Sequence, residues 1–87
     1  MDMKKYLLDK IQSQAIISVM KYRHNNNAGA GAYFHSAANF GKMYEDFFNE
    51  TDEYASTRYI EIMQKVCEFW GVDYRTWFDT MCDIVYW

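Results

Sequence analysis

Residues 59–85, YIEIMQKVCEFWGVDYRTWFDTMCDIV, decide the fold. Apolar side chains recur through this stretch at steps of three and four. They are Tyr59, Ile60, Met63, Val66, Cys67 and Trp70 before the glycine, then Tyr74, Trp77, Phe78, Met81, Cys82 and Val85 after it. That spacing follows the helical period of about 3.6 residues and not the alternation of a strand. Gly71 falls where a helix ends in a left-handed residue, a conformation that glycine adopts with no Cβ in the way. Asp73 stands where a carboxylate can accept the free N–H groups of the next helix. The segment reads as helix, glycine turn, helix.

Upstream, Thr51 or Asp52 can cap the start of the first of these two helices. Before it, residues 33–49 carry Tyr33, Ala37, Phe40, Tyr44, Phe47 and Phe48 at the same spacing. Gly41 lies inside this helix and weakens it by roughly 1 kcal/mol relative to alanine, unless it admits a close neighbour. A further helix covers residues 2–23. Its stripe is Leu8, Ile11, Ala15, Val19 and Tyr22, flanked by Leu7, Ile16 and Met20. Asp2 is placed to cap it, and Lys21, Arg23 and His24 suit the negative end of its dipole. Residues 24–32, HNNNAGAGA, are the one low-complexity stretch, and their asparagines and glycines predict a flexible connection. No segment of useful length alternates with period two, and no internal repeat is present. The expectation is an all-α fold: one compact four-helix domain over residues 1–87, with short connections.

Composition agrees. A chain of 87 residues buries a small core, so that core must be dense. Eight Tyr, 6 Phe and 3 Trp supply large apolar surfaces, and 6 Met fill irregular gaps. Only Leu7 and Leu8 are leucines, so the core is expected to be aromatic-rich. There is no proline to break a helix. Cys67 and Cys82 fall on apolar faces, where a thiol acts as a small hydrophobe. A Cys67–Cys82 disulfide stays open, since the two helices are expected to be antiparallel neighbours. The apolar run after the basic N-terminal residues is interrupted by Asp9 and Lys10, which suits neither a signal peptide nor a membrane span. The expected location is cytoplasmic.

Little in the sequence points to catalysis. His24, which opens the 24–32 stretch, is far from His35 beyond it, and the cysteines stand on separate helices, so no pair has the spacing of a structural zinc site. The G-A-G of residues 29–31 lacks the preceding strand and following Lys-Ser/Thr of a phosphate loop. A Cys67–His35 pairing is conceivable in space but no local motif supports it, and the acidic pairs Glu45-Asp46 and Asp52-Glu53 lie where solvated carboxylates are expected. No catalytic residue, metal or cofactor is expected.

Charge is more informative. The net charge is −3, yet residues 1–23 carry +3 and residues 24–87 carry −6. Glu45, Asp46, Glu50, Asp52 and Glu53 fall within nine residues. With Tyr44, Phe48 and Tyr54 they form a candidate acidic, aromatic-edged patch for a protein partner with a basic surface. Ile62 and Phe69 lie off the main apolar face of their helix, and Tyr86 and Trp87 add further apolar surface. Clustered exposed aromatics of this kind mark interfaces, including one between two copies of the chain.

Residues 63–81, MQKVCEFWGVDYRTWFDTM, resemble the helix-turn-helix of bacterial and phage DNA-binding regulators. The matching features are the small Cys67 four residues before Gly71, Val72 after it, then Thr76-Trp77 and Met81. The resemblance implies a recognition helix from Asp73 that offers Tyr74, Arg75 and Thr76 to base edges. Lys4, Lys5, Lys21 or Arg23 would then meet phosphates. Three aspartates on that helix against one arginine depart from the pattern. In size and composition the chain also resembles the small inhibitors that phages and mobile elements direct at host machinery, anti-CRISPR proteins among them. That likeness implies a non-enzymatic module that occludes a basic, nucleic-acid-binding surface. The helix-turn-helix regulator is the alternative.

Overall fold

The computed structural model describes residues 2–85, with the backbone alone at Val85. Four helices follow in order: α1 (Met3–Arg23), α2 (Asn27–Phe48), α3 (Arg58–Phe69) and α4 (Tyr74–Val85), with no strand among the described residues. Asp2 caps α1 by accepting from the Lys5 amide at 3.2 Å. The α3–α4 turn forms as the glycine signal implies. Gly71 has φ +69°, the Val72 amide donates to the Cys67 carbonyl at 2.9 Å, and the Gly71 amide donates to Glu68 at 3.3 Å. These two bonds satisfy the last carbonyls of α3 in a Schellman arrangement. Asp73 then accepts from the Thr76 amide at 3.0 Å and opens α4.

Two connections differ from expectation. The flexible stretch expected over residues 24–32 is only three residues long, because α2 already begins at Asn27. Asn25 takes a left-handed φ of 61°, and Asn26 caps α2 by accepting from the Gly29 amide at 3.0 Å. The small residues that follow are not slack: Ala30 and Gly31 are buried, and the Ser18 hydroxyl of α1 donates to the Ala30 carbonyl at 2.7 Å. Packing against α1 overrides the low helix propensity of these residues. The second difference is the start of α3, at Arg58 and not near residue 51 or 52. Residues 49–57 instead form successive turns, and the amides of Thr51 and Asp52 both donate to the Phe48 carbonyl.

The core has two halves. Ala15, Val19, Ala30, Phe34, Met63, Cys67, Trp77 and Met81 build one. Leu7, Ile11, Tyr44 and Ala55 build the other. Tyr59 and Ile62 pack against both and join them. Phe34 meets the Trp77 and Phe78 rings edge-on, with centroids 5.3 and 5.5 Å away. Trp77 is held as a hydrophobe: its buried indole N–H finds no hydrogen-bond partner among the described residues. On α1 the buried stripe runs through Leu7, Ile11, Ala15, Ser18 and Val19, which turns Leu8 and Ile16 to half-buried positions beside α3.

Gly41 is where α2 meets α3. A Cβ built there would lie 2.6 Å from the Cβ of Tyr59 and 2.8 Å from its Cγ. Those atoms sit next to the backbone and cannot swing aside, so α3 itself would have to move. Gly41→Ala is therefore expected to destabilise the chain by about 1–3 kcal/mol, despite the gain in helix propensity. Urea unfolding monitored by circular dichroism measures this. An unchanged or raised midpoint would show that Gly41 is not a packing requirement.

Candidate functional site

The residues expected to form an acidic surface patch separate into a buried node and an exposed rim. Tyr44 is fully buried and Asp52 nearly so, which corrects their placement on a docking surface. The Asp52 carboxylate accepts four hydrogen bonds. Tyr44 Oη donates to Oδ2 at 2.6 Å and Arg58 Nε to the same oxygen at 2.8 Å. Arg58 Nη2 donates to Oδ1 at 3.0 Å and the Tyr54 amide to Oδ1 at 2.9 Å. Arg58 Nη1 also donates to Glu61 at 3.1 Å, and the guanidinium lies 5.3 Å from the Tyr54 ring centroid. With four donors, both carboxylate oxygens are satisfied, as a buried anion requires.

Titration follows this geometry. Hydrogen bonds from Arg58, then from Tyr44 and the Tyr54 amide, hold the Asp52 carboxyl well below the usual carboxylate range. Burial, together with the hydrogen bond to Asp52, pushes the Tyr44 hydroxyl up to about 12. Arg58 is held still more firmly in its charged form by Asp52.

Around this node stands the rim. Glu50 and Glu53 are exposed and form no ion pair among the described residues. Tyr54 is 51% exposed. Phe47, expected in the core, is 63% exposed, on the side of α2 turned away from the buried residues Ala37, Gly41 and Tyr44. Phe48 is the half-buried one, 5.0 Å from the Tyr44 ring. Asp46 and Glu45 are engaged by Lys42 at 3.0 and 3.8 Å, surface pairs that add little stability. Glu50, Asp52, Glu53 and Tyr54 line one polar depression, with Lys4 and Arg58 at its margin.

On α4, Arg75 is exposed and approaches Asp79 at 4.0 Å. The Thr76 hydroxyl donates to Asp73 at 2.7 Å, and Tyr74 is half-buried against Phe78 and Trp77. Cys67 and Cys82 are free thiols. Burial raises the Cys67 thiol to about 12, where it is a poor nucleophile. Among the described residues no three His, Cys, Asp or Glu side chains gather to hold a metal ion, and no helix is long and apolar enough to cross a membrane. Tyr86 and Trp87 lie outside the described residues.

A groove that sequence reasoning did not assemble runs between α1 and α3. Its volume is about 650 Å³, and Leu8 and Ile16 face Ile62, Val66, Phe69 and Trp70 across it. Ile62 and Phe69, off the main apolar face of their helix, were its one visible signal. No protein family, curated protein or solved structure matches this chain.

The node gives stability a distinct dependence on pH. Asp52 releases its proton more readily when folded, so its contribution is complete above the ordinary value of 3.8 and declines as pH falls below it towards the depressed folded value. Tyr44 holds its proton more tightly when folded. Its contribution is complete below pH 10.0 and is lost as pH rises towards about 12. Asp52→Asn leaves Arg58 with only Glu61 as an anionic partner and is expected to lower the thermal midpoint at pH 7 by roughly 5–15 °C. It should also flatten the acid limb of a plot of midpoint against pH. An acid limb of unchanged slope in the variant would place the pH sensitivity elsewhere.

Proposed function

We propose that this chain is a non-enzymatic protein-binding module whose acidic, aromatic tip covers a basic, nucleic-acid-binding surface on another protein. It would act by occlusion, in the manner of small phage or mobile-element inhibitors such as anti-CRISPR proteins. One observation carries the reading. Two carboxylates without ion pairs, Glu50 and Glu53, and the exposed Tyr54 ring ride on turns that the Asp52 node holds in place. An interface needs this combination: fixed aromatic anchors cost little entropy on binding, and unneutralised charge accelerates encounter with an oppositely charged surface. Phe47, on the last turn of α2, adds a second exposed ring. Tyr44 and Asp52 serve from below, as positioning residues. The exposed carboxylates make the contact.

The alternative, DNA docking through α4, has weaker support. Arg75 lies beside Asp79, the Thr76 hydroxyl is taken up by the cap, and Asp79 and Asp83 are exposed on the same helix. Phosphate attraction needs an excess of cations that this helix lacks.

The test pairs two measurements. A basic partner is captured from nuclease-treated bacterial lysate, and its affinity for the chain is compared with that for a Glu50→Lys, Glu53→Lys double variant. The expected loss is about tenfold or more, with an unchanged circular dichroism spectrum. Equal affinity for both proteins removes the tip from the interface. Fluorescence anisotropy with labelled duplex DNA at low and moderate salt checks the alternative. Steeply salt-dependent binding that is lost in Arg75→Ala would put the helix-turn-helix reading first.

A further inference from the structure

The α1–α3 groove is a second surface with its own chemistry. Lys4 and Arg58, at the starts of the two helices, line one end of it, and Arg23 stacks on Trp70 at the other with 5.9 Å to the ring centroid. The helices therefore run parallel, and each contributes about twelve residues of wall, which spans roughly 18 Å. Leu8, Ile16, Ile62 and Val66 form an apolar floor, and Phe69 stands 79% exposed at the lip. An exposed phenylalanine beside an open apolar trough is surface that folding alone does not cover.

The charges of the walls select the occupant. Asp9 is paired with Lys5 at 2.8 Å, and Glu61 with Arg58 at 3.1 Å. Lys4 on α1 and Lys65 on α3 form no ion pair among the described residues. Across its lining, Lys4, Arg58 and Lys65 stand against Asp9 and Glu61, a balance of +1 on a chain whose net charge is −3. The two lysines stand on opposite walls and at different heights. A single anionic headgroup would meet one of them, whereas carboxylates spaced along both flanks of a helix would meet both. The length of the groove is that of about three helical turns, which suits the i, i+3/i+4, i+7 anchors of a helix laid in a groove.

We propose that the α1–α3 groove docks an acidic amphipathic helix of a partner protein, its apolar stripe on Leu8, Ile62, Val66 and Phe69 and its carboxylates towards Lys4 and Lys65. This site does not depend on the acidic tip: Leu8, Ile62, Val66, Phe69 and Lys65 take no part in the tip, and of the contact residues only Lys4 borders both.

The probe is a synthetic helical peptide of about fifteen residues, with leucine at i, i+3/i+4 and i+7 and glutamate on both flanks. It is titrated into the full ¹⁵N-labelled chain. Amide shifts are expected at Leu8, Ile62, Val66 and Phe69. Phe69→Ala and Lys65→Glu, both at exposed positions, should each weaken binding by about tenfold while leaving the rest of the spectrum in place. Glu50→Lys with Glu53→Lys should leave this binding intact, which separates it from the tip. The proposal is overturned if the peptide shifts no groove residue, or if a lysine-flanked peptide binds as tightly. Saturation of the same residues by dodecanoate at lower concentration than the peptide would overturn it too, by assigning the groove to a small amphiphile.

Discussion

A carboxylate buried in a protein this small must be matched donor for donor, and the Asp52 node is organised by that requirement. Its partners come from three separate parts of the chain: Tyr44 from α2, the Tyr54 amide from the turns, and Arg58 from the first turn of α3. Satisfying one anion therefore fixes where α2 stops, how residues 49–57 turn and where α3 starts. The turns themselves bury little beyond Ala55 and Asp52, so apolar packing alone would hold them weakly. Withdrawing Arg58 would leave the buried carboxylate with no cation, and such loss typically exceeds the net worth of the contact when made.

The sequence made the α3–α4 turn legible because its signals are local. Gly71 needs only its own φ, and Asp73 needs only the amide three residues on. The rest depended on distant partners. The 24–32 stretch looks like a linker by propensity, and six of its nine residues are helical because α1 supplies a surface for Ala30 and Gly31. Asp52 looks like a helix cap in sequence. Only the folded chain brings it an arginine six residues away and a tyrosine eight residues away. The acidic patch was half legible for the same reason. Glu50 and Glu53 are exposed as a run of acids suggests, but nothing local distinguishes them from the carboxylate between them that turns inward. The groove was less legible still, because a groove belongs to two helices and each stripe alone reads as core.

The node also lies between the two surfaces. Arg58 lines both the polar depression at the tip and the near end of the α1–α3 groove, and Lys4 borders both as well. Arg58 is committed to Asp52 and Glu61, so its charge is spent inside the molecule and reaches neither surface unneutralised. That internal neutralisation sets the polarity on each side. At the tip the carboxylates left over are Glu50 and Glu53, along the groove the cation left over is Lys65, and Lys4 stands where the two surfaces meet.

Two surfaces of opposite sign on one small rigid body have a physical consequence for binding. A partner that is basic on one face and carries an acidic helix elsewhere could engage both, and the second contact would form at the high effective concentration set by the first. The gain would come without a larger interface, which matters for a chain whose longest extent is 38 Å. It requires that the two surfaces keep a fixed relation, and the Asp52–Arg58 pair supplies that relation by tying the tip turns to the first residue of α3, a wall of the groove. Loosening the pair would leave the chemistry of each surface intact. It would remove the fixed relation that engagement of both by one partner would need.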